Sequence, residues 1–325
     1  MLNFQPKFSI GLWAFGKSPD RFVPTGYHED IPPSKQLEIA RTVKGLDGLE
    51  LFYPWSFEDV SVDEMKKFLR ETGLGCAAIG VAVFDDKRWQ DGSYGSHIES
   101  IRGEAIALTK KTIDIAEELG TKTVNLWLGQ DGYDYCFEID YPSYWSRVID
   151  AIRECADYNP SINLALEYKI KEPKIFETVG SIGKAILITK LVDRPNVGIN
   201  IDTGHAFNAQ ENPAESVFLA AKYSKLLHLH IDDNYGEWDN DLVVGSVHFW
   251  SFVEMFFWLN ELGYDGWLGL DLHPFRLDAV KATELSIRNV KRMLDLVDRV
   301  DKEAVRQCLL NQDYIGAMEV FERIM

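Results

Sequence analysis

Four short stretches of this chain each end an apolar run in a side chain able to ligate a metal. They are Leu164-Ala165-Leu166-Glu167, Val197-Gly198-Ile199-Asn200-Ile201-Asp202, Leu226-Leu227-His228-Leu229-His230-Ile231-Asp232 and Trp267-Leu268-Gly269-Leu270-Asp271. Carboxylate oxygens with one or two imidazoles suit a hard divalent ion such as Mn²⁺, Mg²⁺ or Co²⁺, whereas a softer metal would want thiolates. Lys169 stands two positions beyond Glu167 and shares its face of the strand, where it can offer a proton or a charged hydrogen bond to a substrate oxygen. In Asp202-Thr203-Gly204-His205 an imidazole follows a strand-end acid by three residues, and a tight turn at Gly204 would bring both to adjacent ions. His228, His230 and Asp232 lie on one face of their run, and unpaired buried polar groups cost roughly 1–3 kcal/mol each. His228, the deepest, is expected to be a hydrogen-bonded core histidine; His230 or Asp232, lying higher, is expected to ligate. Asp239-x-Asp241, on the loop that follows, adds donors for a second ion, and His273 stands two residues beyond Asp271.

Eight strand-like runs carry these residues or lie between them: 8–13, 48–53, 75–83, 123–128, 163–168, 197–202, 226–232 and 267–272. Helical stretches alternate with them, for example 36–44, 62–71, 101–119, 144–158, 174–192 and 247–262. Strands alternating with helices imply right-handed βαβ units and a parallel sheet. Eight such units predict an α/β fold of the (β/α)8 TIM barrel type over residues 1–299, with a short C-terminal helical tail at 300–325. A doubly wound open sheet is the rival, but no GxGxxG follows the first strand. Helix-to-strand connections are short, while the segments 14–33, 84–100, 129–142 and 233–246 that leave strands are long. Long loops in a compact domain are usually functional, and all four leave the face on which the strand-end ligands lie. Trp13, Phe84 and Trp127 fall at strand ends there, as barrel core or as an apolar wall that excludes water from a reactive intermediate. The amphipathic tail helix expected over 302–324 would pack under the barrel or against a second subunit.

Composition narrows the partners. The 325 residues carry a net charge of −17, which argues against nucleic acid, because binding a polyanion requires clustered Lys and Arg. Cys76, Cys136, Cys155 and Cys308 are far apart, so neither a disulfide framework nor a zinc ribbon is suggested and a reducing compartment is expected. No signal peptide is visible, and no run reaches the ~18 apolar residues that spanning a bilayer needs. A cytoplasmic protein with no membrane partner is expected.

In order and position, these motifs resemble those of the xylose isomerase-type sugar isomerases over most of residues 8–275. Phe8-Ser9-Ile10-Gly11-Leu12-Trp13 is similar to the FGLW segment of that family's first strand, which carries a substrate-wall tryptophan. Phe84 with Lys87, Trp89, Asp91 and Gly92 resembles its third loop, and Trp127 to Gly132 its WGGREG motif. Glu167-Tyr168-Lys169 with Glu172-Pro173 looks like EPKPxEP, which holds a metal carboxylate and the catalytic lysine. Asp202 to His205 matches the bridging carboxylate and the second-metal histidine. His230 to Asn234 resembles HIDLN, Asp239 to Gly245 resembles DQDLxxG, and Asp271 matches the last carboxylate of the first site. Two departures stand out. Leu51-Phe52-Tyr53-Pro54-Trp55 lies where xylose isomerases carry a ring-opening histidine, which counts against D-xylose as the sugar. Asp202 replaces a glutamate, as in rhamnose isomerase-like and ketose epimerase-like branches.

The resemblance implies a metal-dependent aldose–ketose isomerase acting by 1,2-hydride shift. One ion would be held by Glu167, Asp202, His230 or Asp232, and Asp271. A second would be held by Asp202, His205, Asp239 and Asp241, polarising the carbonyl and activating water. Lys169, Asp241 and His205 would be catalytic; Trp13, Phe84, Trp127 and His273 would contact a small sugar. A homo-oligomer, dimer or tetramer, is expected. The rivals are a one-metal ketose epimerase or keto-isomerase working by proton transfer, a lyase or dehydratase, an apurinic-site endonuclease, and a non-catalytic sugar-binding protein. With no Arg- or Gly-rich phosphate cradle in view, a free sugar is favoured.

Overall fold

The computed structural model describes residues 2–172 and 176–325. Eight strands alternate with helices: β1 Lys7–Gly11, β2 Gly48–Tyr53, β3 Gly75–Val81, β4 Thr123–Trp127, β5 Asn163–Glu167, β6 Val197–Asp202, β7 Leu226–Ile231 and β8 Trp267–Leu270. All pair in parallel, and the order β1-β8-β7-β6-β5-β4-β3-β2 closes a barrel. Strands covered on both faces need near-continuous apolar runs, and β6 is buried from end to end. The helices that cover the barrel are α1 Pro33–Ala40, α2 Val62–Thr72, α3 Glu99–Leu119, α4 Tyr141–Tyr158, α5 Ile182–Val192, α6 Pro213–Tyr223, α7 Phe249–Leu262 and α8 Ala279–Arg299. Among the described residues no helix is long and apolar enough to cross a membrane.

Several boundaries differ from expectation. β1 stops at Gly11, and Leu12–Phe15 form a 3-10 turn, so Trp13 lies beyond the ladder. The fifth helix starts at Ile182, where Ser181 caps it, and not at residue 174. Residues 173–175, including the Pro173 of the EPKPxEP-like motif and the expected start of that helix, lie outside the described residues. Phe176–Glu177 pairs antiparallel with Gly132–Tyr133, which joins the 129–142 loop to the segment after β5. An amphipathic helix that the sequence patterning left unmarked, α8, follows β8.

The tail is two helices, α9 Lys302–Leu310 and α10 Tyr314–Glu322. Gln312 takes a left-handed backbone (φ 57°) between them, and the Asp313 side chain accepts from the Gly316 N–H to start the second. The tail folds onto its own domain, flanking α7 on the outside of the barrel. Val305, Val320 and Phe321 join the hydrophobic core, the Phe321 ring meets Trp250 edge-on at 5.6 Å, and Arg306 pairs with Glu261.

Candidate metal centre and active site

The C-terminal rim of the barrel gathers the strand-end ligands. Glu167 closes β5, Asp202 closes β6, His230 is the penultimate residue of β7, and Asp271 follows β8 directly. Register places Asp202 across from His230, and His230 across from Gly269. Ligand atoms of Glu167, Asp202, His230 and Asp271 lie within 4.8 Å of one another. His230 Nδ1 is 3.2 Å from Asp271 Oδ2, 3.5 Å from Glu167 Oε1 and 3.9 Å from Asp202 Oδ2. Each carboxylate is held by neutral donors. Asn125 and Asn200 donate to Glu167 Oε2, the His205 N–H to Asp202 Oδ1 at 2.8 Å, and Trp13 Nε1 to Asp271 Oδ1 at 2.9 Å.

A second cluster adjoins the first. Asp232, Asp239 and Asp241 present ligand atoms within 4.8 Å of one another. The structure therefore divides the two β7 candidates: His230 joins the first cluster and Asp232 the second. The ladder ends at Ile231, and Asp232 is drawn toward the start of the helix that follows β6. Its N–H donates to Thr203 Oγ1, and its Oδ1 accepts from the Gly204 N–H at 2.8 Å. Asp241 adopts φ 46°, a left-handed conformation that a short acidic side chain tolerates. His205 spans the gap, with Nδ1 3.3 Å from Glu167 Oε1 and Nε2 3.1 Å from Asp239 Oδ2. Lys169 Nζ sits 2.9 Å from Asp239 Oδ2 and 3.1 Å from Glu172 Oε2.

Gly204 is not the tight turn that the spacing suggested. It lies in the first turn of a short helix, Thr203–Asn208, capped by Asp202. What the position requires is clearance, because a Cβ there would come within 2.3 Å of Asp232 Oδ2 and 2.6 Å of Asp239 Oδ1. His228 is a core residue with its Nε2 3.0 Å from Glu50 Oε1, but that nitrogen is buried without the hydrogen bond that was expected of it.

The charges at this rim do not balance. Burial opposes every ionised group here. Glu167 is nonetheless lowered to about 2, because the His230 and His205 imidazoles and the Asn125 amide outweigh that cost. Asp239 is held well below the usual carboxylate range by Lys169 and His205 against its own burial. Asp202 moves the other way, up to about 7, through burial and the neighbouring Asp239, Asp271 and Glu167 carboxylates, with His205 opposing. Burial and the same crowd of acids push Asp232 and Asp241 well above the carboxylate range. Burial would depress His205, but Asp202 and Asp239 raise it to about 9. Negative charge thus exceeds what Lys169 and the imidazoles neutralise. Meanwhile His205 Nδ1, His230 Nδ1 and Asp232 Oδ2 are buried with no hydrogen-bond partner. Buried orphan donor atoms among crowded carboxylates are what a divalent cation satisfies, so the residues fit a metal.

Over the clusters lies a cavity of about 210 Å³. Trp13, Phe84 and Trp127 line it together with Phe52 and Trp55. Phe84 packs 4.3 Å from Trp127 and 5.4 Å from Trp55, between ring centroids. His273 also lines it, with Nδ1 buried and without a hydrogen-bond partner. Phe52 and Trp55 stand in the stretch marked in the sequence only by the histidine it lacks; three aromatics within four residues across the end of a strand were the available signal. Asn125, Asn200 and Glu50 were missed, though each is a polar residue flanked on both sides by apolar ones within its strand. The WGGREG-like and third-loop motifs turn out to be tied together. Asp131 is buried and accepts from the Ser93 and Gly95 N–H groups and from Tyr144 Oη, which pins the 84–100 loop. Trp89 is buried beside it in the loop, and not in the cavity.

The model of the xylose isomerase-like TIM barrel family matches residues 37–296. A xylose isomerase of Thermus thermophilus is 27% identical over 295 residues, spanning 85% of this chain and 76% of that protein. Among solved structures, a D-tagatose 3-epimerase-like protein superposes with a TM-score of 0.69 at 22% identity, covering 90% of this chain and 98% of its own. An L-ribulose 3-epimerase gives 0.71 at 17% identity, covering 91% and 96%. A closed eight-stranded parallel barrel whose carboxylates and imidazoles meet at one rim, matched across most of its length, belongs to the xylose isomerase-like TIM barrel family.

Proposed function

We propose that this enzyme is a divalent-metal-dependent sugar isomerase that interconverts an aldose and a ketose by 1,2-hydride shift. The observation that carries this reading is Lys169, held between Asp239 and Glu172 in the cavity wall that also presents both acid clusters. Glu167, Asp202, His230 and Asp271 would hold one ion; Asp232, Asp239 and Asp241, with His205, would hold a second. A divalent ion there supplies Lewis-acid polarisation of a carbonyl and lowers the pKa of bound water.

The chain's own residues do the rest. The Lys169 ammonium stays protonated, since Asp239 and Glu172 outweigh its burial, and Nζ donates to the substrate oxygen on which negative charge develops. Trp13, Phe52, Trp55, Phe84 and Trp127 present ring faces to the C–H faces of the sugar and keep water from the migrating hydrogen. The cavity volume suits one small sugar. Among its lining residues Lys169 is the one Lys or Arg, and it is already shared by two carboxylates, so an unphosphorylated sugar fits best.

One observation favours a second reading, in which a single ion serves a ketose epimerase working by proton transfer. Asp239 is already compensated by Lys169 and His205, which weakens the case for a cation at the second cluster. An aldose deuterated at C2 and a ketose deuterated at C3, each turned over with Mn²⁺ or Co²⁺, separate the two. Label retained at the adjacent carbon of the product is expected. Washout into solvent, with turnover, would replace the hydride shift by proton transfer. No product from any aldose–ketose or epimeric pair would remove the functional reading altogether.

A further inference from the structure

Glu50 is the one charged residue of β2, and its side chain is 3% exposed inside the barrel, below the rim. A carboxylate so buried costs several kcal/mol unless its oxygens are fully engaged. Both are. Oε1 accepts from Ser9 Oγ at 2.7 Å and lies 3.0 Å from His228 Nε2, while Oε2 lies 2.7 Å from His230 Nε2. The 2.7 Å contact between His230 Nε2 and the Glu50 carboxylate oxygen is a hydrogen bond in which the ring nitrogen donates and the oxygen accepts. The other ring nitrogen, Nδ1, is the one aimed at Glu167, Asp202 and Asp271, and it has no hydrogen-bond partner.

The neighbouring strand is shaped for this carboxylate. Gly269 lies opposite His230 in the ladder, and a Cβ on it would fall 2.1 Å from Glu50 Oε1. A bulge at Leu49/Glu50 shifts the β2–β3 register at the same level. Ser9 on β1, Glu50 on β2, His230 on β7 and Gly269 on β8 thus form one device spread over four adjacent strands of the closed barrel.

We infer that Glu50 is the positioning residue of the metal centre: it fixes the His230 tautomer and ring orientation so that Nδ1 is presented to the ion. This inference rests on the first cluster being a metal site. A carboxylate behind a metal-bound histidine orients the ring and raises its basicity, and its loss typically costs 10–100-fold in metal affinity. Glu50 does not line the cavity.

Titration of the metal-free protein with Mn²⁺ by calorimetry tests it. Glu50→Gln keeps the shape and removes the charge, and should weaken Mn²⁺ binding by about 10–100-fold. Ser9→Ala removes the hydroxyl donor to Glu50 Oε1 and should weaken it in the same direction by less, which preserves the test if Glu50→Gln folds poorly. Long-range ¹H–¹⁵N spectra of the Zn²⁺-loaded wild type should show His230 protonated at Nε2, a signature that a packing role would not set. Mn²⁺ affinity unchanged within two-fold in variants that melt like wild type, or Zn²⁺ on Nε2, overturns the inference and leaves the functional reading standing. A wild type that binds no Mn²⁺ overturns both.

Discussion

The two acid clusters at the rim are built from different kinds of chain. Glu167, Asp202 and Asp271 stand at strand ends and His230 inside a strand, with neighbouring strands fixing their spacing. In the second cluster, Asp239 and Asp241 come from the 233–246 loop, and only Asp232 adjoins a strand. Their electrostatics differ as well. His230 Nδ1 points into the first cluster unpartnered, whereas Asp239 is already met by Lys169 and His205. Ligands on strands are positioned more firmly than ligands on loops, and a carboxylate already paired with a cation is a poorer ligand for another. The first cluster should therefore bind its ion more tightly, with the protein's own lysine and histidine competing at the second.

Substitutions can break or sharpen that contrast. The largest effect is expected from Asp202→Asn, which removes a strand-borne ligand. Turnover should fall by about 10³-fold or more, several kcal/mol of lost transition-state stabilisation, with Mn²⁺ binding to the first cluster lost in calorimetry. Wild-type affinity in this variant would break the comparison outright. Next comes Lys169→Gln. Removing a donor to the reacting oxygen should lower kcat by about 10²-fold with KM little changed, while a second Mn²⁺ binds more tightly because Asp239 has lost its competitor. A weaker second ion would mean that Lys169 shapes the cluster and does not compete with it. Asp239→Asn should reduce the metal content measured by atomic spectroscopy from two ions per chain to one and slow turnover by about 10-fold, the loss of roughly one tenfold step in the barrier. Two ions and full activity in that variant would refute the second site. The smallest effect belongs to Trp13→Phe, which keeps the ring wall and deletes the Nε1–Asp271 hydrogen bond. About 1 kcal/mol is expected, seen as a few-fold weaker Mn²⁺ affinity with the fold intact.

How much of this could be read from the chain alone depends on where each constraint resides. Glu167, Asp202 and Asp271 were legible because an acid ending an apolar strand contradicts its surroundings, and the barrel was legible because the strand–helix alternation runs eight times. The division of His230 from Asp232 was not. Period-two alternation puts both on the same face, and what separates them is the Thr203 hydroxyl and the Gly204 N–H arriving from β6. Glu50 was hidden for a related reason. Attention fell on the histidine missing after β2, while the partner of Glu50 lies 180 residues away on β7. The tail was expected as one helix because its amphipathic period continues through Asn311-Gln312-Asp313, and only the backbone conformation there shows the break.

The aromatic wall has an optical consequence. The Trp13 ring lies 6.5 Å from that of His230, and Lys169 Nζ lies 5.2 Å from the centre of the Trp127 ring. Two indole fluorophores therefore lie beside His230 and Lys169, and an ion or a sugar bound there would alter the surroundings of their excited states. Emission from the unlabelled protein can report occupancy in real time, ahead of any assay for product.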